Sequence, residues 1–183
     1  MASKKRNQLI TTANELFYKN GFHATGIDTL LEEAGIAKMT LYNHFTSKED
    51  LISKALDEKS KRVIAWLVKG LDDHAVSERD KLFTVFDIYE QWFKSDDFYG
   101  CMFAKAAAEF PETNHPVHKT ASKHLTRLFE MLLSIATKAK VSNPNTLAEQ
   151  IVLLLEGASS VAFSTGATIS ARRAKRTVVQ LIR

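Results

Sequence analysis

The segment from Gly35 to Leu51, GIAKMTLYNHFTSKEDL, crowds hydrogen-bonding and cationic side chains into less than twenty residues. If Leu41 and Phe45, four apart, share the buried face of a short helix, then Lys38, Met39, Thr40, Asn43 and His44 occupy the remaining surface. These are the groups a groove of double-stranded DNA needs. Lysine neutralises phosphate, asparagine pairs with the donor and acceptor edge of adenine, and threonine and histidine donate to phosphate or base. Tyr42 adds a hydroxyl that can reach a phosphate while its ring packs against the scaffold.

Other constellations carry less chemistry. Cys101 lies in the apolar stretch FYGCMF with no adjacent cation to activate its thiol, so an inert buried cysteine is expected rather than a redox switch. Glu112, His115 and His118 have the spacing of a zinc half-site, but no Cys-x-x-Cys or His-Glu-x-x-His pattern accompanies them. No nucleophile stands beside a base in a recognised arrangement. No catalytic residue, metal site or cofactor is expected, and the chain is not read as an enzyme.

The elements that must hold the DNA-contacting groups are legible in the flanking sequence. In ATGID, Thr25 is expected to cap a helix over 27–34 with Asp28 reaching back, and Gly35 to end it in a left-handed conformation. A second short helix over 38–44 follows, and the Ser47 to Asp50 spacing predicts a second capping box that starts a long helix. Two short helices around a glycine turn form a helix-turn-helix.

Helical periodicity continues through almost all of the 183 residues, and no alternating stretch is long enough to argue for a sheet. The fold class read from it is all-α, with about nine helices over 4–20, 27–34, 38–44, 48–70, 77–95, 100–110, 115–139, 144–165 and 168–182. Two domains are expected, 1–47 for DNA binding and 48–183 for regulation. The balance of 45% hydrophobic and 25% charged residues is that of a soluble globular protein. The net charge of +4 permits an anionic partner. A single cysteine, no signal-peptide pattern and no long apolar run lead to the expectation of a cytoplasmic protein that does not span a membrane.

From Leu9 to Leu56 the chain resembles the DNA-binding domain of the TetR family of bacterial transcriptional regulators. The resemblance rests on Gly21-Phe22, Thr25, Ala34-Gly35-Ile36, Leu41-Tyr42, His44-Phe45 and Lys48. It implies that Lys38 to His44 is the recognition helix, that Thr25, Tyr42 and Lys48 contact phosphates, and that Lys48 begins the helix joining DNA reading to the regulatory domain. Met39 departs from the pattern, which more often has a small residue there, and a contact with a thymine methyl is one role for it.

The remaining two thirds match that family only in outline. Six of the eleven phenylalanines fall between Phe83 and Phe110. Phe86, Tyr89, Trp92, Phe93, Tyr99 and Phe103 are expected to line a cavity for a small apolar or aromatic effector, with core packing as the other account of the same rings. Near the end, Ile151, Leu155, Ala158, Ala162, Val178 and Leu181 lie on helices whose apolar and small residues can serve both a core and a partner. The resemblance implies a homodimer through a four-helix bundle. The expected function is a repressor that binds operator DNA and is released by that effector. A constitutive DNA-binding protein of the same fold, architectural or activating, is the alternative.

Overall fold

The computed structural model describes residues 2–182. Among these residues there are nine helices and no strand. They are α1 (Ala2–Asn20), α2 (Ile27–Ala34), α3 (Lys38–Tyr42), α4 (Lys48–His74), α5 (Glu78–Phe93), α6 (Met102–Glu109), α7 (Pro116–Lys138), α8 (Pro144–Thr165) and α9 (Ser170–Leu181). The all-helical expectation and the order of elements agree with this. Two helices differ instructively. α3 is two residues shorter than expected, because Asn43 already serves as its C-cap. α4 runs past Gly70 instead of stopping there. A Cβ at Gly70 would stand 3.0 Å from the Ile88 side chain, so this glycine permits close packing of α4 on α5 rather than ending a helix.

The chain forms two compact units: one contains the sequence up to Arg62 together with Met102–His124, the other Val63–Cys101 and the sequence from Leu125 onward. The expected division fell at residue 47. The first turns of α4 instead group with the N-terminal helices, for Leu51, Ile52, Ala55 and Leu56 are all fully buried.

In the first unit, Leu9, Ile10, Ala13 and Phe17 give α1 its buried stripe, and the Phe17 and Phe22 rings meet at 5.2 Å. Gly35, at φ 61°, closes α2 with its N–H donating to the Glu32 carbonyl, while Ile36 donates to Leu31. This is the left-handed stop expected of that glycine. The start of α2 corrects an expectation: its N-cap is Gly26 without a side-chain bond, and the Thr25 hydroxyl donates instead to the Gly21 carbonyl at 2.7 Å. The second expected capping box is present in its Ser47 half, with the reciprocal bond displaced by one residue. Ser47 Oγ accepts the Asp50 N–H at 3.1 Å, and the Asp50 carboxylate accepts the Thr46 N–H at 3.2 Å.

The core of the second unit is built from Phe86, Tyr89 and Phe93 of α5, Leu128 and Leu132 of α7, Ile151 and Leu155 of α8, and Val178 of α9. By length and composition α8 could cross a membrane, but here Ile151, Leu155, Ala158 and Ala162 spend its apolarity on this core. Glu90 on α5 is nearly buried and accepts from Arg172 of α9 at 3.0 and 2.5 Å and from Lys94 at 2.7 Å. Arg172 first, then Lys94, holds the Glu90 carboxyl below the ordinary carboxylate range. A depressed folded-state value means that this contribution is complete above the unfolded value near 4.3 and is lost as pH falls through the lower folded value. Arg172→Ala should therefore lower unfolding stability at pH 7 and flatten the acid limb of the stability curve below about pH 4.3. Urea titrations at a series of pH values check this; equal losses at pH 7 and pH 2 would show that the ion pair is not the cause.

Candidate nucleic-acid interface

A five-residue helix cannot sustain itself in water, so α3 exists because Leu41 and Phe45 anchor it in the first unit's core at 0% and 1% exposure. The remaining positions come in pairs four residues apart. Lys38 with Tyr42 and Met39 with Asn43 are exposed, while Thr40 and His44 are half-buried along the flank. Met39 is 73% exposed, a large apolar side chain with no use in this unit's own core. Lys38 Nζ lies 3.4 Å from the Asp28 carboxylate, a surface pair weak enough to be exchanged for a phosphate.

Around this helix the supporting contacts are local. The Arg6 guanidinium stands 5.8 Å over the Phe45 ring, and Gln8 Nε2 donates to the Ala34 carbonyl at 2.8 Å. Lys48, half-buried at the start of α4, donates from Nζ to the His23 carbonyl at 3.4 Å. Thr25 differs from its expected role: it is 2% exposed and its hydroxyl is spent on Gly21. In this geometry its side chain fixes the turn before α2 rather than facing outward.

The expected effector residues do not all come together. Phe86, Tyr89, Trp92, Phe93 and Tyr99 belong to the second unit, but Phe103 belongs to the first, stacked on His124 at 3.7 Å. Tyr89 meets Trp92 and Phe93 edge-to-face at 5.5 and 5.9 Å, and Trp92 meets Phe98 at 4.9 Å. Near Tyr89, burial raises the Glu156 carboxyl, partly opposed by a hydrogen bond from the Cys101 thiol. Burial also pushes the Tyr89 hydroxyl well up. Glu156 among the rings was missed in the sequence because it is some sixty residues from them and its helix reads as apolar. His118, one of the three residues at zinc half-site spacing, is bonded through Nδ1 to the Phe110 carbonyl in the first unit. Among the described residues no His, Cys, Asp and Glu cluster could hold a metal ion, and His115 stacks on Phe110 at 4.9 Å.

The expected dimer residues need correction. Ile151, Leu155, Ala158, Ala162 and Val178 are buried in the second unit's own core, where none can be the outward half of an interface, whereas Leu181 is exposed. The outward stripe of α8 is instead Leu153, Gly157, Ser160, Val161 and Ser164, and Val179 and Leu181 are the exposed apolar residues of α9. The offset is the ordinary one: a helix that is apolar all round gives no sequence signal of which side faces its own chain.

Comparison with known proteins agrees with this architecture. Residues 9–55 match the family model described as bacterial regulatory proteins, tetR family, and residues 79–178 match the tetracyclin repressor-like C-terminal domain. The HTH-type transcriptional regulator YjdC of Escherichia coli K12 is 23% identical over 85% of this chain and 82% of its own length. The transcriptional activator FasR of Mycolicibacterium smegmatis is 34% identical over 37% of this chain and 31% of its own. Among solved structures, a TetR-family transcriptional regulator from Streptomyces coelicolor superposes with a TM-score of 0.87 at 27% identity, covering 99% of this chain and 95% of that one. The reduced form of Escherichia coli NemR superposes with a TM-score of 0.86 at 21% identity, covering 98% and 97%.

Proposed function

The chain belongs to the TetR family of bacterial transcriptional regulators, and from that premise we propose that it is a homodimeric repressor whose α3 reads operator DNA and whose second unit answers to a small apolar or aromatic effector. The observation that carries the DNA-reading part is the division of α3 and the turn that follows it into a buried pair, Leu41 and Phe45, and an exposed set of Lys38, Met39, Tyr42 and Asn43. Exposed methionine beside asparagine and lysine suits a thymine methyl, an adenine edge and a phosphate in one groove. Two such helices related by two-fold symmetry would address half-sites about 34 to 36 Å apart, or a multiple of that.

Effector control rests on the second unit's rings together with Tyr89 and Glu156. A flat apolar compound gains area against Trp92 and Phe98, and its polar group can meet the protonated Tyr89 hydroxyl. Such a compound lowers DNA affinity only by binding the non-reading conformation more tightly, which typically gives about 5- to 150-fold release. The rings also pack on one another, which favours the second reading, a constitutive DNA-binding protein with no effector.

Selection of duplexes from a random pool supplies the site for the test. Lys48→Ala should weaken binding to every duplex and reduce the slope of log affinity against log salt by about 1, whereas Asn43→Ala should relax base choice at one position in each half-site. Unchanged affinity, salt slope and base preference in both variants would remove α3 and the start of α4 from the DNA interface.

A further inference from the structure

The turn that joins α1 to α2 is held from outside by a single carboxylate. Glu109, the last residue of α6, accepts the Phe22 N–H at 3.0 Å on each oxygen and the His23 N–H at 2.6 Å. The His23 imidazole Nε2 also meets the Glu109 backbone carbonyl at 2.8 Å, and the His23 ring packs 4.7 Å from Phe110. Gly21 completes the cradle. At φ 90° it suits glycine, and a Cβ there would stand 3.0 Å from Glu109 Oε1. On its other side the same turn takes the Lys48 ammonium on the His23 carbonyl and the Thr25 hydroxyl on the Gly21 carbonyl.

From this geometry we propose that Glu109 is a positioning residue for DNA binding, acting through the 21–25 turn on Lys48. The inference rests on the DNA-reading function above and assigns a regulatory contact within it. Two adjacent amide N–H groups converging on one carboxylate make a charge-assisted clamp, stronger than neutral hydrogen bonds. It fixes the two peptide units that end at the His23 α-carbon, and the carbonyl of the next unit, on the far side of that α-carbon, accepts from Lys48. α6 follows Cys101 directly, and Cys101 belongs to the other unit, so the clamp stands at the end of a short helix through which the chain re-enters the DNA-reading unit. Glu109 itself touches no base or phosphate in this role.

Glu109→Gln keeps the side-chain volume but replaces one acceptor oxygen with a donor aimed at backbone N–H groups. Operator affinity should fall about ten-fold, with the salt slope flattened by about 1, and amide exchange should accelerate at Phe22 and His23 ahead of the rest of the unit. In the Lys48→Ala background the same change should cost less than two-fold, because the side chain it positions is gone. If wild-type protein selects no duplex from a random pool, the DNA-reading function fails and the clamp with it. If wild-type binds and Glu109→Gln binds equally well with an unchanged salt slope, the clamp alone is overturned. Affinity losses that are fully additive with Lys48→Ala also overturn it, since they would mean that Glu109 acts by general stability. Phe110→Leu, a neighbouring change that leaves the carboxylate in place, should reproduce neither the Lys48 coupling nor the selective amide exchange; reproducing both would assign the effect to packing.

Discussion

Val161→Glu should convert the protein to monomers and lower operator affinity by at least a hundred-fold. Val161 lies on the outward stripe of α8 at 43% exposure, with Leu153 at 72% two turns before it and Gly157 between them. An added Cβ at Gly157 meets nothing within 4 Å, so a partner helix can approach closely there. If this stripe is the two-fold interface of the proposed homodimer, each mutation enters the contact twice by symmetry. An unpaired buried charge costs about 3 to 5 kcal/mol, enough to dissociate a dimer at micromolar concentration. Loss of the dimer removes one of two half-site contacts, which explains the coupled loss of DNA binding. Light scattering and operator titration check both effects. A folded variant that remains dimeric would exclude the α8 stripe as the interface.

The contrast with Ala162 shows what sequence could and could not supply. Ala162 is the neighbouring residue, small and equally plausible in a contact, yet it is 3% exposed inside its own unit. On an amphipathic helix such as α1, the spacing of Leu9, Ala13 and Phe17 identifies the buried side because the other side is polar. α8 lacks that contrast. Its inward and outward faces become distinct only when α5 and α9 pack on it, which no local pattern encodes.

The DNA-reading unit was legible for the opposite reason. Its turns depend on residues with narrow conformational or hydrogen-bonding roles, such as Gly35 at the end of α2 and the Ser47–Asp50 cap. Even there, a local rule misassigned Thr25. Its hydroxyl has two local uses, capping α2 or closing back on Gly21, and the clamp from Glu109, more than eighty residues away, belongs to the arrangement in which it closes back. The aromatic residues from Phe86 to Phe103 were visible as a cluster, but their division between two units was not, because the chain crosses from one unit to the other between Cys101 and Met102.

Phe45→Ala should separate DNA reading from assembly more sharply than any surface change. Phe45 is 1% exposed, lies immediately beyond α3, and shares with Leu41 the task of fixing a five-residue helix that has little stability of its own. Truncating a fully buried phenylalanine costs about 3 to 5 kcal/mol, combining lost transfer energy with the cavity left behind. That is a large fraction of the 5 to 15 kcal/mol typical of a whole domain. The Arg6 guanidinium also loses the ring beneath it, a contact of about 0.5 to 1 kcal/mol at an exposed site. The expected protein is still dimeric, because the α8 and α9 stripes belong to the other unit, but it melts in two steps and binds operator at least a hundred-fold more weakly. Phe45→Leu fills most of the volume and should retain binding within about ten-fold. Calorimetry with light scattering and operator titration distinguishes the outcomes. A single transition within about 1 kcal/mol of the wild-type stability, with full operator affinity, would show that α3 is held by something other than this pair of buried side chains.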